Sequence, residues 1–460
     1  MALDKKTLKT PPGPKGGLML GSTIDFKNKP ARYIKHVADA YGDVTRFKVV
    51  GVNWYMLCHP EDVWRAMTKQ GHIFLKPAIA KRLWDKFLGD GLLTTEGEVW
   101  KRQHKLMIPA FHHKRIMSYG ETMGSFTNRM LDGWEEGSRV DIGEAMVALT
   151  LEIIAKTMFN ADVGEDGTST VGDAMSVIQE VLVEHINMPI PVPKWWPSEA
   201  NKRKINAIQN IEDIVMGIVD ERRRTGEDPG DLLSMLLNAT DETGDRLTDK
   251  ELRDQSMTLF FAGHETTAFS MTWAWYLFGK HPEITARVQA DIDRVTEGEP
   301  LTVAHLKELP YLEQCVKEAM RILPSVWIFM KQPTEDVDVR GYLIPKGAPV
   351  AFSPYIIHRD PRWYPSPLTF DPDRFSPERE KLIPKGAYIP FSGGARVCIG
   401  KACAMMESCL VLGTMLQRLT PKVSDDYVYD FKAELSMHPG GPLPIDVVFR
   451  QQATKLVATA

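Results

Sequence analysis

The chain has 460 residues, 43% of them hydrophobic and 25% charged, which excludes a disordered, fibrous or membrane-embedded protein. Its 56 Lys and Arg against 60 Asp and Glu leave a formal charge of −4, so no global field recruits nucleic acid, and any charge argument must be local. The five cysteines, Cys58, Cys315, Cys398, Cys403 and Cys409, are odd in number and form no CxxC, so a reducing, cytoplasmic setting without disulfide staples is expected.

Met1 to Thr10 is polar and lysine-bearing, without the run of about 20 apolar residues that an anchor needs. Pro11-Pro-Gly-Pro14 is a stiff, non-helical opening. Pro30 to Tyr41 reads as a helix stopped by Gly42, Val44 to Cys58 as a β-hairpin turning at Gly51-Val-Asn53, and Pro60 opens a helix through Met67. From about Glu98 to Asn238 the chain is mostly helical, broken at Gly137, at 164–167 and at the proline-rich 188–197. That last stretch has the character of a ligand entrance, a membrane contact or a loop packed on its own protein. Thr248 to Gly279 is the longest helical pattern, roughly 45–50 Å at the α-helical rise. Helices follow at 282–296 and 309–322, then short strands from Pro324 to Phe352, then an irregular segment over 361–390. Length alone suggests about three domains, yet no repeat, low-complexity tract or linker divides the chain. One mainly α unit over 1–460, with a minor β part near 44–58 and 324–352, is expected.

Four stretches carry chemistry. In Phe391-Ser-Gly-Gly-Ala-Arg-Val-Cys398-Ile-Gly400 a cysteine sits in a glycine-rich loop that runs into an apolar helix. Glycines allow backbone N–H groups to turn toward sulfur, and a helix N-terminus adds roughly half a positive charge. Such a setting favours a thiolate of lowered pKa, a nucleophile or a metal ligand; a buried structural cysteine is the plain alternative. Ala262-Gly-His-Glu265-Thr266-Thr267 is poor helix material in the middle of the long helix, which marks a local bulge. Glu318-Ala-Met-Arg321 puts opposite charges one turn apart, and Trp100-Lys-Arg-Gln-His104 does the same for an indole and an imidazole.

These stretches resemble, in order and spacing, the signature elements of the cytochrome P-450 family. Phe391, Gly394, Arg396, Cys398 and Gly400 match every defined position of Phe-x-x-Gly-x-Arg-x-Cys-x-Gly. With Ala262–Thr267, Glu318/Arg321, the Arg374 of Phe370-Asp-Pro-Asp-Arg-Phe375, and Trp100, the matches span some two-thirds of the chain. The resemblance implies a mostly helical triangular fold with haem b between the long helix and the cysteine loop. Cys398 would be the axial thiolate, which pushes electron density onto iron and favours O–O cleavage. Thr266 would hydrogen-bond dioxygen or its water, Glu265 would relay protons, and Gly263 would let the groove open over the iron. Trp100, His104 and Arg396 would hold the haem propionates, with His358 a further contact. The family has arginine where His104 stands, so that charge becomes pH-dependent. Glu318, Arg321 and Arg374 would form a buried charge network that fixes the cysteine loop.

The implied reaction is hydroxylation of a lipophilic substrate by O2 with two electrons and two protons. No flavin, nicotinamide or iron–sulfur motif is present, so the electrons are expected from NAD(P)H through a separate ferredoxin and its reductase or a flavin-containing reductase. Lys101, Arg102, Lys105, Lys114, Arg115 and Lys401 form a candidate basic docking patch. Residues 88–97 and Pro109-Ala-Phe-His112 look like the fatty-acid and alkane hydroxylating branches, which puts Leu93 over the iron. Ala262 stands where one such branch has a haem-esterifying glutamate, so no covalent link is expected. A fatty acid or other long-chain hydrocarbon is the expected substrate. The alternatives are a terpenoid or steroid hydroxylase, or a peroxide-using or isomerising enzyme, against which Glu265-Thr266 argues. A monomer with no membrane anchor and no nucleic-acid partner is expected.

Overall fold

The computed structural model describes residues 7–16, 21–78, 84, 87–160, 177 and 199–451; the proline-rich 188–197 lies outside them. The long helix, Asp249–Lys280, begins at a reciprocal cap in which the Thr248 hydroxyl accepts from Glu251 N and the Glu251 carboxylate accepts from Thr248 N. It then runs without interruption through Gly263, Thr266 and Thr267. The expected bulge is absent, and the polar side chains of this stretch return to their own helix. Thr266 Oγ1 donates to Ala262 O at 2.8 Å, Ser270 Oγ to Thr266 O at 2.8 Å and Thr272 Oγ1 to Ala268 O at 2.9 Å. Gly263 serves packing: a Cβ there would lie 2.7 Å from Ile154 Cδ1, on the helix Ile142–Phe159 that crosses this face.

The long helix is buried along most of its length, with apolar and hydrogen-bonded polar side chains together. Its Met271, Trp273, Trp275 and Phe278 share one buried cluster with Leu410–Leu412 of the helix Lys401–Arg418 and Leu312, Cys315 and Ala319 of the helix Pro310–Ile322. The two β regions of the sequence join into one sheet. The hairpin Val44–Val49/Val52–Leu57 turns at Val50 and Gly51, both at positive φ (48° and 79°), as a two-residue hairpin turn demands. Tyr55–Leu57 pairs parallel with Val350–Phe352, which pairs antiparallel with Phe329–Lys331, and Phe74–Leu75 closes the far edge against Gln332 and Pro333. Near the C-terminus, strands Phe431–Ala433 and Met437–Pro439 form a small hairpin.

Behind the helices lies a fully buried ion network. Arg321 donates to both Glu318 oxygens, Nε at 2.6 Å and Nη2 at 2.8 Å, while Arg374 Nε reaches Glu318 Oε1 at 3.2 Å and Asp371 N the same oxygen at 3.0 Å. Burial pushes the Glu318 carboxyl up and the two guanidiniums pull it back; with four donors on two oxygens it stays ionised. The network reaches the cysteine loop through His358. Arg321 Nη1 donates to His358 O at 2.7 Å, Ile389 N donates to His358 Nε2 at 2.9 Å, and Ser392 N donates to Ile389 O at 3.1 Å.

Removing one partner strands a buried charge, so Glu318→Ala is expected to cost roughly 3–5 kcal/mol in a denaturant titration. Two buried histidines weaken the fold in acid. Burial holds His264 down to about 4 and His358 down to about 3, both from an ordinary 6.5. Between pH 6.5 and those values the unfolded chain binds protons that the fold refuses, so stability falls as pH falls. Each histidine is expected to remove about 2 kcal/mol between pH 7 and pH 5. His264→Leu should flatten the pH dependence of the thermal midpoint in that window.

Candidate active site

The cysteine loop is pressed onto the C-terminal end of the helix Pro60–Met67. Gly394 has φ +67°, and a Cβ there would fall 2.0 Å from Met67 O; at Gly393 it would meet the Trp64 ring at 2.9 Å. Cys398 N donates to Phe391 O at 3.0 Å, which closes the loop, and Ala404 N donates to Gly400 O at 2.9 Å as Lys401–Arg418 begins. Cys398 has exposed surface, but that surface faces an internal cavity. The expectation of a lowered thiol pKa needs correction. Burial pushes the Cys398 thiol up, and the backbone N–H groups of Gly400 and Lys401 with the Lys401 charge only partly offset it. A thiolate here calls for a cation bound directly at sulfur.

The cavity, of about 1860 Å³, is walled on one side by Ala262, Gly263, Glu265 and Thr266 of the long helix and on the other by Phe391, Cys398 and Gly400. Phe261, Ile154, Leu93 and Leu435 contribute apolar surface. At one rim three cations gather around one carboxylate. Arg396 Nη2 donates to Thr95 O at 2.7 Å and to the Glu96 carboxylate. Lys76 N donates to Glu96 Oε1 at 2.9 Å, and Lys76 Nζ to the carbonyls of Leu92 and Leu93. Burial first and the Arg396 charge second pull Lys76 down to about 7; burial also lowers Lys331 and Arg396. The Arg396 guanidinium lies 4.0 Å over the Trp100 ring, and His104 stacks on Trp100 at 4.8 Å and 27°. Burial and Arg396 lower the His104 pKa, so at neutral pH it is an uncharged donor. The sulfur asks for a cation and the rim for anions. Haem, with its iron and two propionates, fits both demands in sign.

The family model for cytochrome P450 matches residues 11–443. The chain belongs to the cytochrome P450 family. It is 31% identical over 401 residues to cyclooctat-9-en-7-ol 5-monooxygenase of Streptomyces melanosporofaciens, covering 87% of each chain. It is also 31% identical over 408 residues to pentalenene oxygenase of Streptomyces avermitilis, covering 89% of this chain and 90% of that one. The crystal structure of the cytochrome P450DA heme domain superimposes with a TM-score of 0.89 at 27% identity, over 96% of this chain and 98% of that one. The mainly α fold with a minor β part is therefore a P450 fold, and the protein is a haem-dependent oxidoreductase of monooxygenase type.

For this P450 several sequence expectations change. His358 does not line the cavity; it is fully buried and links Arg321 to the cysteine loop, which removes it from the propionate set. Half of the basic patch is ion-paired. Lys101 pairs with Glu98 at 2.6 Å, Arg102 with Asp241 at 2.6 Å and Glu251 at 2.7 Å, and Lys105 with Glu242. Arg115 bonds the Gly230 carbonyl at 3.4 Å. Among the described residues only Lys114 and Lys401 of that set show no such bond. The roles of Lys76, Glu96 and Lys331 escaped the sequence reading, because no local pattern marks the contacts that bring them together. Glu407, on the helix after the loop, also lines the cavity, where burial pushes its carboxyl up to about 8. No helix among the described residues is long and apolar enough to cross a membrane.

Of the two signature glycines, only Gly394 is conformationally obligatory. Gly394→Ala is expected to destabilise by roughly 1–3 kcal/mol from backbone strain, with the Met67 contact added. Gly400→Ala, whose Cβ would meet nothing nearer than 3.9 Å, should leave the unfolding free energy within about 0.5 kcal/mol of the parent in a denaturant titration.

Proposed function

We propose that this P450 hydroxylates a cyclic, terpenoid-type hydrocarbon at a haem ligated by Cys398. The observation that carries the ligand assignment is the opening of Cys398 and Thr266, from two different elements, onto one cavity. The relatives named for cyclooctat-9-en-7-ol and pentalenene support a cyclic alkene over the linear chain of a fatty acid. The broad, apolar wall of Phe261, Ile154 and Leu435 is compatible with that choice.

Haem, when bound, supplies the activation of dioxygen and the insertion of one oxygen atom. The chain's residues do the rest. Cys398 donates thiolate charge to the metal, and the Gly400 and Lys401 N–H groups temper it. Trp100, His104, Arg396, Lys76 and Lys331 hold the two carboxylates at the rim. Ala262 presents a methyl group and so forms no ester. Thr266, half-buried with its hydroxyl at the cavity wall, orients a hydrogen bond, and Glu265 supplies the acid that water at random would not. Apolar walls exclude water from the reacting centre. Electrons arrive from NAD(P)H through a separate redox protein, which in this reading docks on a surface where three of the six candidate cations are already ion-paired. Reduction should therefore depend only weakly on ionic strength, as stopped-flow measurements over a salt series would read.

Two measurements test the main reading. The reduced protein with carbon monoxide should show the red-shifted band of thiolate ligation, lost in Cys398→His; a histidine-type band in the intact protein would reject Cys398 as ligand. In spin-state titrations, cyclic terpenes should bind more tightly than fatty acids of any length. Tighter binding of a graded fatty acid would reject the terpenoid assignment and leave the ligand assignment standing.

A further inference from the structure

One wall of the cavity carries polar groups that the family signature does not contain. They come from the turn of the C-terminal hairpin, between Phe431–Ala433 and Met437–Pro439. Ser436, only 6% exposed, donates from Oγ to Glu265 Oε2 at 3.2 Å. Both residues line the cavity, and they are 171 positions apart in sequence, so the fold alone brings them together.

The turn that presents Ser436 is held from three directions. Trp273 of the long helix donates Nε1 to Met437 O at 3.0 Å, Trp327 donates Nε1 to Glu434 O at 2.8 Å, and Met437 N donates to Ser325 O at 2.8 Å. Within the turn, Glu434 N donates to Ser436 O at 3.1 Å. Ser325 in turn meets Ser270 hydroxyl to hydroxyl at 2.7 Å, and Ser270 is anchored to Thr266 O. Glu265 and Thr266 are thus tied to the same hairpin by two routes, one through a side chain and one through the helix backbone. A hydroxyl fixed this firmly selects one rotamer of the carboxylate it touches. The indoles hold it in place with buried hydrogen bonds that are costly to break.

We propose that Ser436 is a positioning residue for the monooxygenase reaction: its hydroxyl holds the Glu265 carboxylate at the cavity wall in the orientation from which Glu265 takes up and releases protons beside Thr266. The inference rests on the proton-relay reading of Glu265. The protons themselves come from water, as the stoichiometry of the reaction requires. Among the described residues, His264 adjoins Glu265 in sequence and is kept neutral by burial, and Glu434 on the hairpin faces His438 at 3.5 Å.

The test compares the haem-loaded protein with Ser436→Ala, Ser436→Thr, Glu265→Gln and the Ser436→Ala/Glu265→Gln double variant, after haem content and the carbon monoxide band confirm intact sites. Infrared difference spectra locate the Glu265 carboxyl band as the one lost in Glu265→Gln. In Ser436→Ala that band should shift and titrate about one pH unit higher, because a donor to the carboxylate has gone. The yield of product per NAD(P)H should fall about tenfold, the factor that one hydrogen bond to a charged group controls, with peroxide released instead. Ser436→Thr should restore both readouts, and Ser436→Ala should have no further effect once Glu265 is glutamine. An unshifted carboxyl band, or an equal Ser436→Ala effect in both backgrounds, would overturn the positioning role. A Glu265→Gln variant with unchanged yield and unchanged solvent isotope effect would overturn the relay reading beneath it, whatever the infrared band does.

Discussion

A carboxylate with no solvent exposure, Glu318, is the point on which the haem side of this protein turns. Its charge survives burial because two guanidiniums and a backbone N–H converge on it. Those donors are spent in the process: Arg321 has one hand on Glu318 and the other on the carbonyls of His358 and Pro367. From His358 the path continues through Ile389 and Ser392 to the loop whose Phe391 carbonyl accepts from Cys398 N. An ion network of this kind adds little net stability compared with an apolar core of equal volume. What it adds is definition. Each member is over-determined, so the sulfur at the far end has one place to be.

The same logic of charge in a low dielectric explains why one cofactor satisfies both ends of the cavity. A neutral filling would leave the thiol protonated and three cations crowded around Glu96, with Lys76 already lowered to about 7 by burial and by Arg396. A group that brings a cation to sulfur and anions to the rim relieves both strains at once, and binding and folding then support each other. Trp100 contributes to this rim as a plane: it carries the Arg396 guanidinium on one side at 4.0 Å and stacks with His104. The replacement of the family's arginine by His104 is tolerable on this account, since Lys76 and Lys331 already supply the charge.

Much of this was legible in the sequence, and the part that was not shares a physical cause. The cysteine loop, the Glu318/Arg321 pair and Trp100/His104 are short-range patterns, because one loop or one helical turn fixes the geometry they need. The helix end at Gly42 and the hairpin at Gly51 are likewise decided by local backbone chemistry, whereas the long helix, expected to stop at Gly279, runs on to Lys280. Lys76, Lys331, Ser436 and the true task of His358 depend on contacts between segments dozens to hundreds of residues apart, and no local pattern encodes those. The supposed bulge at Gly263 failed for a related reason. Propensity identified a weak stretch of helix correctly, but Ile154 on a neighbouring helix needed the missing Cβ, and tertiary packing overrode the local preference.

The C-terminal hairpin shows why selectivity in this protein is not separable from its chemistry. Leu435 offers an apolar surface to the cavity, and the next residue, Ser436, bonds Glu265. Trp273 and Trp327 clamp the carbonyls of Met437 and Glu434 on either side of that pair. The turn can therefore move only as a unit: a change of pocket shape made through Leu435 displaces the hydroxyl that orients the acid. A close-packed interior transmits such a displacement rather than absorbing it. If Ser436 orients Glu265 as proposed, substrates that press on the hairpin and substrates that do not would meet the same haem with a differently held carboxylate, so substrate fit and proton delivery would be set by one piece of backbone.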